Sequence, residues 1–485
     1  MSTDDVMRRW CEASRMNSTR ETTRRAFLMG LGRAGLGCGA LSATPLLGSL
    51  VSLATATGAA AQSLPGGDDY KALVCILLAG GNDSFNMIVP YEQSEYDDYR
   101  ASRSDLALDR SSILRVSPAS LDREFGFHPS MPGARDLFDA GRLAVIHNVG
   151  TLVERVTLAE VEAMTARLPL GLYSHSDQIR QWQTSVPQDR SALGWGGRLS
   201  DLLDGVNSSA RISMGISLAG TNDFQSGANT REFAITPAGS VPIFGFGETD
   251  PIQMLRETAI RSLVDARYKN LLEQAFADRM AGGIRNHEVF SAAISQAPAL
   301  QTPFSAAPLS QSLRMIARTM SVRQQLDMRR QTFFVLVGGW DHHDEVLATQ
   351  APMLGGVSLA LTEFDAALGE LGLRNEVTTF TISDFGRTLT SNGRGSDHGW
   401  GGNQLVMGGA VTGGDFYGTP PPLFPGNALD TGRGRLIPTL STDEYFAELA
   451  LWFGVAPADL DRVLPNVNRF TSPSLSNPPV GFLLG

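Results

Sequence analysis

Apolar residues in this chain gather in short blocks, and polar residues collect where those blocks end. The run Leu73-Val74-Cys75-Ile76-Leu77-Leu78-Ala79 has no polar position on either face, the pattern of a strand covered on both sides. Similar blocks recur at 143–146, 333–337, 377–382 and 404–407. Between them, residues 131–142, 177–184, 252–280, 310–330 and 357–373 read as helices, and 441–454 adds a helix with a capping Ser441, early acidic residues and a terminal Gly454. Strands alternating with helices predict an α/β fold around a largely parallel sheet. Segment 206–250, rich in Gly, Asn, Thr and Pro, reads as a hairpin-rich insertion beside that sheet, and 281–309 as a loop or short connecting helix.

The first sixty residues break the pattern. Arg24-Arg25 precede an apolar pair, and from Met29 to Ala61 the only charged residue is Arg33. The segment closes on Ala59-Ala60-Ala61 before Gln62. A basic start, an apolar middle and a small-residue end predict a twin-arginine signal peptide over 1–61, read by the twin-arginine export machinery. Its removal leaves one domain, 62–485, periplasmic or extracellular and without a stable membrane span. The whole chain of 485 residues carries a formal charge of −10, which argues against nucleic acid as a partner. Of three cysteines, Cys11 and Cys38 leave with the signal, so Cys75 stands alone in an apolar run and reads as a buried hydrophobe.

Candidate chemistry lies at the block ends, where the loops of open α/β sheets bring side chains together. Gly80-Gly81-Asn82-Asp83 follows the first block, and Gly338-Gly339-Trp340-Asp341-His342-His343-Asp344 follows the third. Asp341 and His343 stand two apart, which puts them on one side of an extended segment, while His342 and Asp344 face away or support them. Asp384 lies one step beyond the fourth block with Arg387 three further on, and Asp397-His398 occupy a glycine-rich loop. Carboxylates and imidazoles without cysteine suit a divalent cation, zinc foremost, with manganese, magnesium or calcium as alternatives.

The motifs GGNDSFNMIVPY, YSHSDQIRQWQ, GWGGRLSDLL, FFVLVGGWDHHDE, SDFGRT and SDHGWGGN, together with the C-terminal PTLSTDEYFAELALWFGV, resemble the DUF1501 family of exported proteins. That family is a branch of the alkaline-phosphatase-like superfamily, which includes sulfatases and phosphodiesterases. The resemblance implies an alkaline-phosphatase-like three-layer sandwich, a central mostly parallel sheet between helices. It also implies a metal-dependent hydrolase of phosphate or sulfate esters, acting on a small-molecule or polysaccharide ester. Asp83, Asp341, His343, Asp384 and His398 match its metal positions. Phe385 stands where two-metal members carry a histidine, with Asp397 as the candidate substitute. The nucleophile implied at a helix start falls on Ser174 or Ser176, with Ser176 also readable as a plain cap, His175 as base, ligand or oxygen donor, and Arg387 as an oxyanion clamp or equally as the partner of a structural carboxylate. The missing histidine motivates an alternative, a non-catalytic, metal-stabilised envelope binding or assembly protein.

Overall fold

The sheet is organised by strand β1 (Lys71–Leu78), whose side chains alternate between two apolar cores. Ala72, Val74, Ile76 and Leu78 enter one core, and Leu73, Cys75 and Leu77 enter the other. A strand buried on both faces needs helices on both faces, and this computed structural model supplies them. Helices Pro132–Asp139, Pro308–Ser321 and Val346–Glu370 cover the first face through residues such as Phe138, Ile316 and Phe364. His175–Thr184, Trp195–Leu203 and Thr442–Phe453 cover the second through Trp182, Trp195 and Phe446. The expected three-layer α/β sandwich is observed. The structure describes residues 69–207, 211–472 and 477–483, so the signal peptide expected over 1–61 lies outside the described residues.

The remaining strands are β2 (Ile88–Pro90), β3 (Leu114–Val116), β4 (Phe125–Phe127), β5 (Leu143–Gly150), β6 (Gly215–Ser217), β7 (Phe233–Ala234), β8 (Arg330–Val337), β9 (Val377–Ser383), β10 (Arg387–Ser391), β11 (Ser396–His398), β12 (Gly402–Met407), β13 (Phe416–Tyr417) and β14 (Leu440–Ser441). The main sheet runs β13-β5-β12-β9-β1-β8-β6-β7, with β14 also on β5. Only β12 is antiparallel to its neighbours, β5 and β9; the other pairs are parallel. The chain leaves β9, forms the hairpin β10–β11 and returns into β12, so this hairpin sits over the carboxyl ends of the central strands. A three-stranded sheet, β2-β4-β3, lies apart.

Three expectations are corrected by packing. Segment 206–250 is not a hairpin-rich insertion beside the sheet: β6 and β7 extend the main sheet itself in parallel, β6 on β8 and β7 on β6. The stretch 252–280 is two helices, Pro251–Asp265 and Leu271–Ser295, because the Asn270 side chain accepts from the Leu272 N–H at 2.9 Å and starts a second one. That second helix runs through much of the expected loop 281–309, since Ile284, Phe290 and Ala293 have a buried face to fill. Cys75 is buried and unpaired, its thiol pushed up by burial. Among the described residues no helix is long and apolar enough to cross a membrane.

Asp443, in the first turn of helix Thr442–Phe453, is fully buried. Burial raises its carboxyl to about 7 against the opposing pull of Ser185 and Arg198. The unfolded chain releases this proton near pH 4 while the folded chain keeps it, so stability falls as pH rises from about 4 to about 7. Asp443→Asn is therefore expected to stabilise the protein at pH 8, by on the order of 1–3 kcal/mol, and to leave it unchanged at pH 4. Urea unfolding at both pH values checks this; an equal effect at the two would contradict it.

Candidate metal centre

Gly80 ends β1 at φ +122°, and a Cβ there would stand 2.5 Å from the backbone nitrogen of Asp341. Only glycine lets the loops after β1 and β8 cross this closely. Arg387 then ties them together. Its side chain is fully buried; Nε donates to the Gly81 carbonyl at 2.8 Å, Nη1 to Ser396 at 3.0 Å, and Nη2 to Gly80, to Trp340 at 3.1 Å and to Asp341 Oδ1 at 2.6 Å. Partial burial works against the Asp341 charge, but the Arg387 bond and its field, with His343 and His175, hold this carboxyl below the usual range.

Three histidines face Asp341, and two of them have their second nitrogen fixed by an oxygen of the protein's own interior. His398, at the end of β11, directs Nδ1 at the Tyr173 carbonyl at 2.8 Å. A carbonyl accepts only, so Nδ1 carries the proton and Nε2 presents a lone pair, 3.5 Å from Asp341 Oδ1. Burial lowers the His398 pKa to about 4 and so favours the neutral, ligating form. Tyr173 itself stands at φ +72°, a costly conformation for a large residue, and carries that strained carbonyl into the site. His175 opens helix His175–Thr184. Its Nδ1 meets Asp384 Oδ2 at 2.6 Å, a bond that raises the imidazole pKa, and its Nε2 is buried without a hydrogen-bond partner, 3.5 Å from Asp341 Oδ2. Asp384 is itself fully buried and accepts from the Gly80 N–H at 3.0 Å.

One donor atom each from His175, Asp341 and His398 lies within 4.8 Å of the others. The two 3.5 Å separations, one to each oxygen of Asp341, are each near the ~3.3 Å edge of a tetrahedron of ligands about 2.0–2.1 Å from zinc. Each histidine has its second nitrogen fixed by an oxygen acceptor, the usual support of a metal ligand. His343 completes the cluster: Nε2 lies 2.9 Å from His398 Nε2 and 3.1 Å from Asp341 Oδ1, and Nδ1 lies 3.0 Å from Asp397 Oδ1. Two imidazole nitrogens this close need a proton or a cation between them. Asp397 is held down to about 2, for although burial opposes its charge, Asn392, Arg433 and His343 all bond to it.

The structure thus gathers Asp341, His343, Asp384, Asp397 and His398, and adds His175 to the candidate donors. Asp83 stands apart: it is fully buried, pairs with Arg103 at 2.5 Å and accepts from Ser396 Oγ at 2.9 Å. The Phe385 ring packs 4.8 Å from His175 and 4.5 Å from His398, apolar contact where a second histidine would stand. His342 is buried away from the cluster, and Asp344 pairs with Arg394 at 2.7 Å. Ser174, not Ser176, is the N-cap residue; its hydroxyl makes no capping bond and lies 3.2 Å from that of Ser176, which is exposed within the helix. Tyr173, Arg103 and Arg433 escaped sequence reasoning, since none lies beside its partner in sequence.

Fold and site together define an α/β sandwich with a histidine–aspartate–histidine cluster at the carboxyl ends of its central strands. The chain belongs to the DUF1501 family, whose model, described as "Protein of unknown function (DUF1501)", matches residues 70–428. No curated protein matches it in sequence. Among solved structures, it is similar to Ps i-CgsB in complex with k-i-k-neocarrahexaose, at 11% identity, covering 83% of this chain and 78% of that one, with a TM-score of 0.31. Wild-type alkaline phosphatase PafA gives 9% identity, 67% and 64% coverage and a TM-score of 0.29. The sulfatase PsFucS1 from Pseudoalteromonas sp. gives 10% identity, 84% and 70% coverage and a TM-score of 0.30. Superpositions this loose say nothing about substrate.

Calorimetric titration of zinc into chelator-stripped protein is expected to show one equivalent bound, and none in Asp341→Ala or His398→Ala. Asp384→Asn, which weakens the support of His175 while keeping an oxygen for the Gly80 N–H, should weaken binding about 10–100-fold. Zinc affinity unchanged across all three variants would contradict the assignment.

Proposed function

We propose that this protein is an exported, metal-dependent hydrolase of phosphate or sulfate esters, with a small-molecule or polysaccharide ester as substrate. The observation that carries the reading is the donor triad of His175, Asp341 and His398, each oriented by a partner of its own. A divalent ion held there, zinc foremost with manganese, magnesium or calcium as alternatives, would polarise an ester oxygen as a Lewis acid.

The protein's own groups supply the rest. Ser174 is the nucleophile in this reading: its hydroxyl is not consumed in capping, and it adjoins His175 in the chain. Ser176, exposed and already inside the helix, is the weaker candidate. The first turn of helix His175–Thr184 offers backbone N–H groups and a positive dipole end to the anion under attack. Of the two roles open to Arg387 in sequence, a clamp on substrate oxygens or a partner for a carboxylate, the second fits better, because it is fully buried and spent on Asp341 and four carbonyls. Phe385 against both histidine rings favours one ion over two, with Asp397 serving to orient His343. Export through the twin-arginine pathway belongs to the same proposal and rests on the sequence of residues 1–61.

The test is hydrolysis of p-nitrophenyl phosphate, bis-p-nitrophenyl phosphate and p-nitrophenyl sulfate by metal-loaded protein. Turnover of one ester class is expected, falling about a hundredfold or more in Asp341→Ala and in Ser174→Ala and much less in Ser176→Ala. Activity that survives both metal removal and Asp341→Ala would sink the proposal. Metal binding without turnover of any ester would transfer support to the non-catalytic envelope protein.

A further inference from the structure

Helix Pro251–Asp265 lies on the molecule with its apolar stripe turned outward. None of its residues is fully buried, and the half-buried ones are Gln253, Glu257, Ile260, Arg261 and Val264. That mixed face meets the neighbouring helix Leu271–Ser295, where Arg261 Nη2 bonds to Glu257 at 2.7 Å and reaches across to Glu288 at 2.5 Å. The other side carries Ile252, Leu255, Ala259 and Leu263, whose spacing of three and four residues lines them up along the axis. Its three large side chains are 74%, 70% and 62% exposed. A surface helix ordinarily turns such a stripe toward a core, so this one is laid the wrong way round for a free monomer.

Leu271, Leu272 and Phe276, at the start of the neighbouring helix, are exposed as well. Six large apolar side chains leave on the order of 500 Å² of apolar area in water, toward the upper end of what a monomer shows. An interface is a little over half apolar, so this area matches the ~800 Å² that each partner gives to one of standard size. The stripe is also self-complementary. Leu255 and Leu263 stand four residues either side of Ala259, and Ile252 and Ala266 seven either side. A second copy laid antiparallel across Ala259 puts Leu255 on Leu263 of the partner subunit, and the small side chain at the centre allows close approach. Arg256, beside the stripe, then meets Ser262 of the partner subunit rather than a like charge. The helix ends agree with this direction. Glu248 and Asp250 precede the helix, Arg267 and Lys269 follow it and outnumber Asp265, and all five are exposed. Antiparallel copies bring each acidic start over a basic end, whereas parallel copies would set like charges together. We propose that this protein forms a two-fold homodimer through antiparallel packing of helix Pro251–Asp265 against a second copy of itself. The inference stands apart from the hydrolase reading.

Sedimentation velocity of the protein at micromolar concentration tests it, with a species of twice the chain mass as the expected result. Leu255→Lys and Leu263→Glu should each weaken the dimer about thirtyfold or more, because each sets a charge against leucine at the centre of the contact. Both leucines are exposed in the single chain, so neither substitution disturbs its core. Mixed together, the two variants should dimerise again, since the introduced lysine of one copy meets the introduced glutamate of the other and the remaining leucines meet each other. The double variant should dimerise by itself for the same reason. A monomeric wild type, a dimer indifferent to both substitutions, or a mixture that stays monomeric would each overturn the proposal. A monomeric wild type that sediments with phosphatidylglycerol vesicles, and no longer does so in Leu255→Lys, would overturn it in favour of a lipid surface.

Discussion

The ion pair between the buried Arg387 and the exposed Asp341 organises this molecule. A guanidinium withdrawn from water must spend its donors and balance its charge, and Arg387 does both with groups from separate loops. Gly80 and Gly81 come from the end of β1, Trp340 and Asp341 from the end of β8, and Ser396 from the hairpin that feeds β12. One side chain therefore fixes how three loops meet. The counter-charge it draws in is the carboxylate on which the metal cluster is built.

The donors around Asp341 follow the same logic at one remove. His175 is oriented by a buried Asp384, and His398 by the carbonyl of a strained Tyr173. Each contact fixes which nitrogen faces inward, so the pocket needs little rearrangement to receive a cation. Asp83 satisfies a different requirement. It neutralises Arg103, whose other donors reach Asn86 at 3.2 Å and Thr388 at 2.9 Å, and so locks the first loop to β10.

The sheet was legible because burial on both faces leaves a mark in sequence: apolar runs fill most of β1 and the second half of β8, β9 alternates threonines with apolar residues, and the polar clusters follow them directly. The two-residue spacing of Asp341 and His343 could likewise be read as a shared side. Other features have no local signature. Tyr173 holds a positive φ through tertiary contacts, Arg103 and Asp83 meet through a helix and a loop, and the start of helix His175–Thr184 falls before the expected Asp177. Short strands near the sheet edge, such as β6 and β7, owe their pairing to the neighbour they join, and in sequence they resemble hairpins. An arginine after a strand-end aspartate reads equally as a ligand clamp or as the partner of a structural carboxylate, and only the burial of Arg387 decides between them.

X-ray absorption spectroscopy on metal-loaded protein tests most directly the claim that this cluster is a metal centre. With zinc, the expected result is a nitrogen and oxygen shell at about 2.0–2.1 Å, with imidazole scattering that drops by one ring in His398→Ala. A shell left unchanged by that substitution would contradict the placement of the ion between His175, Asp341 and His398.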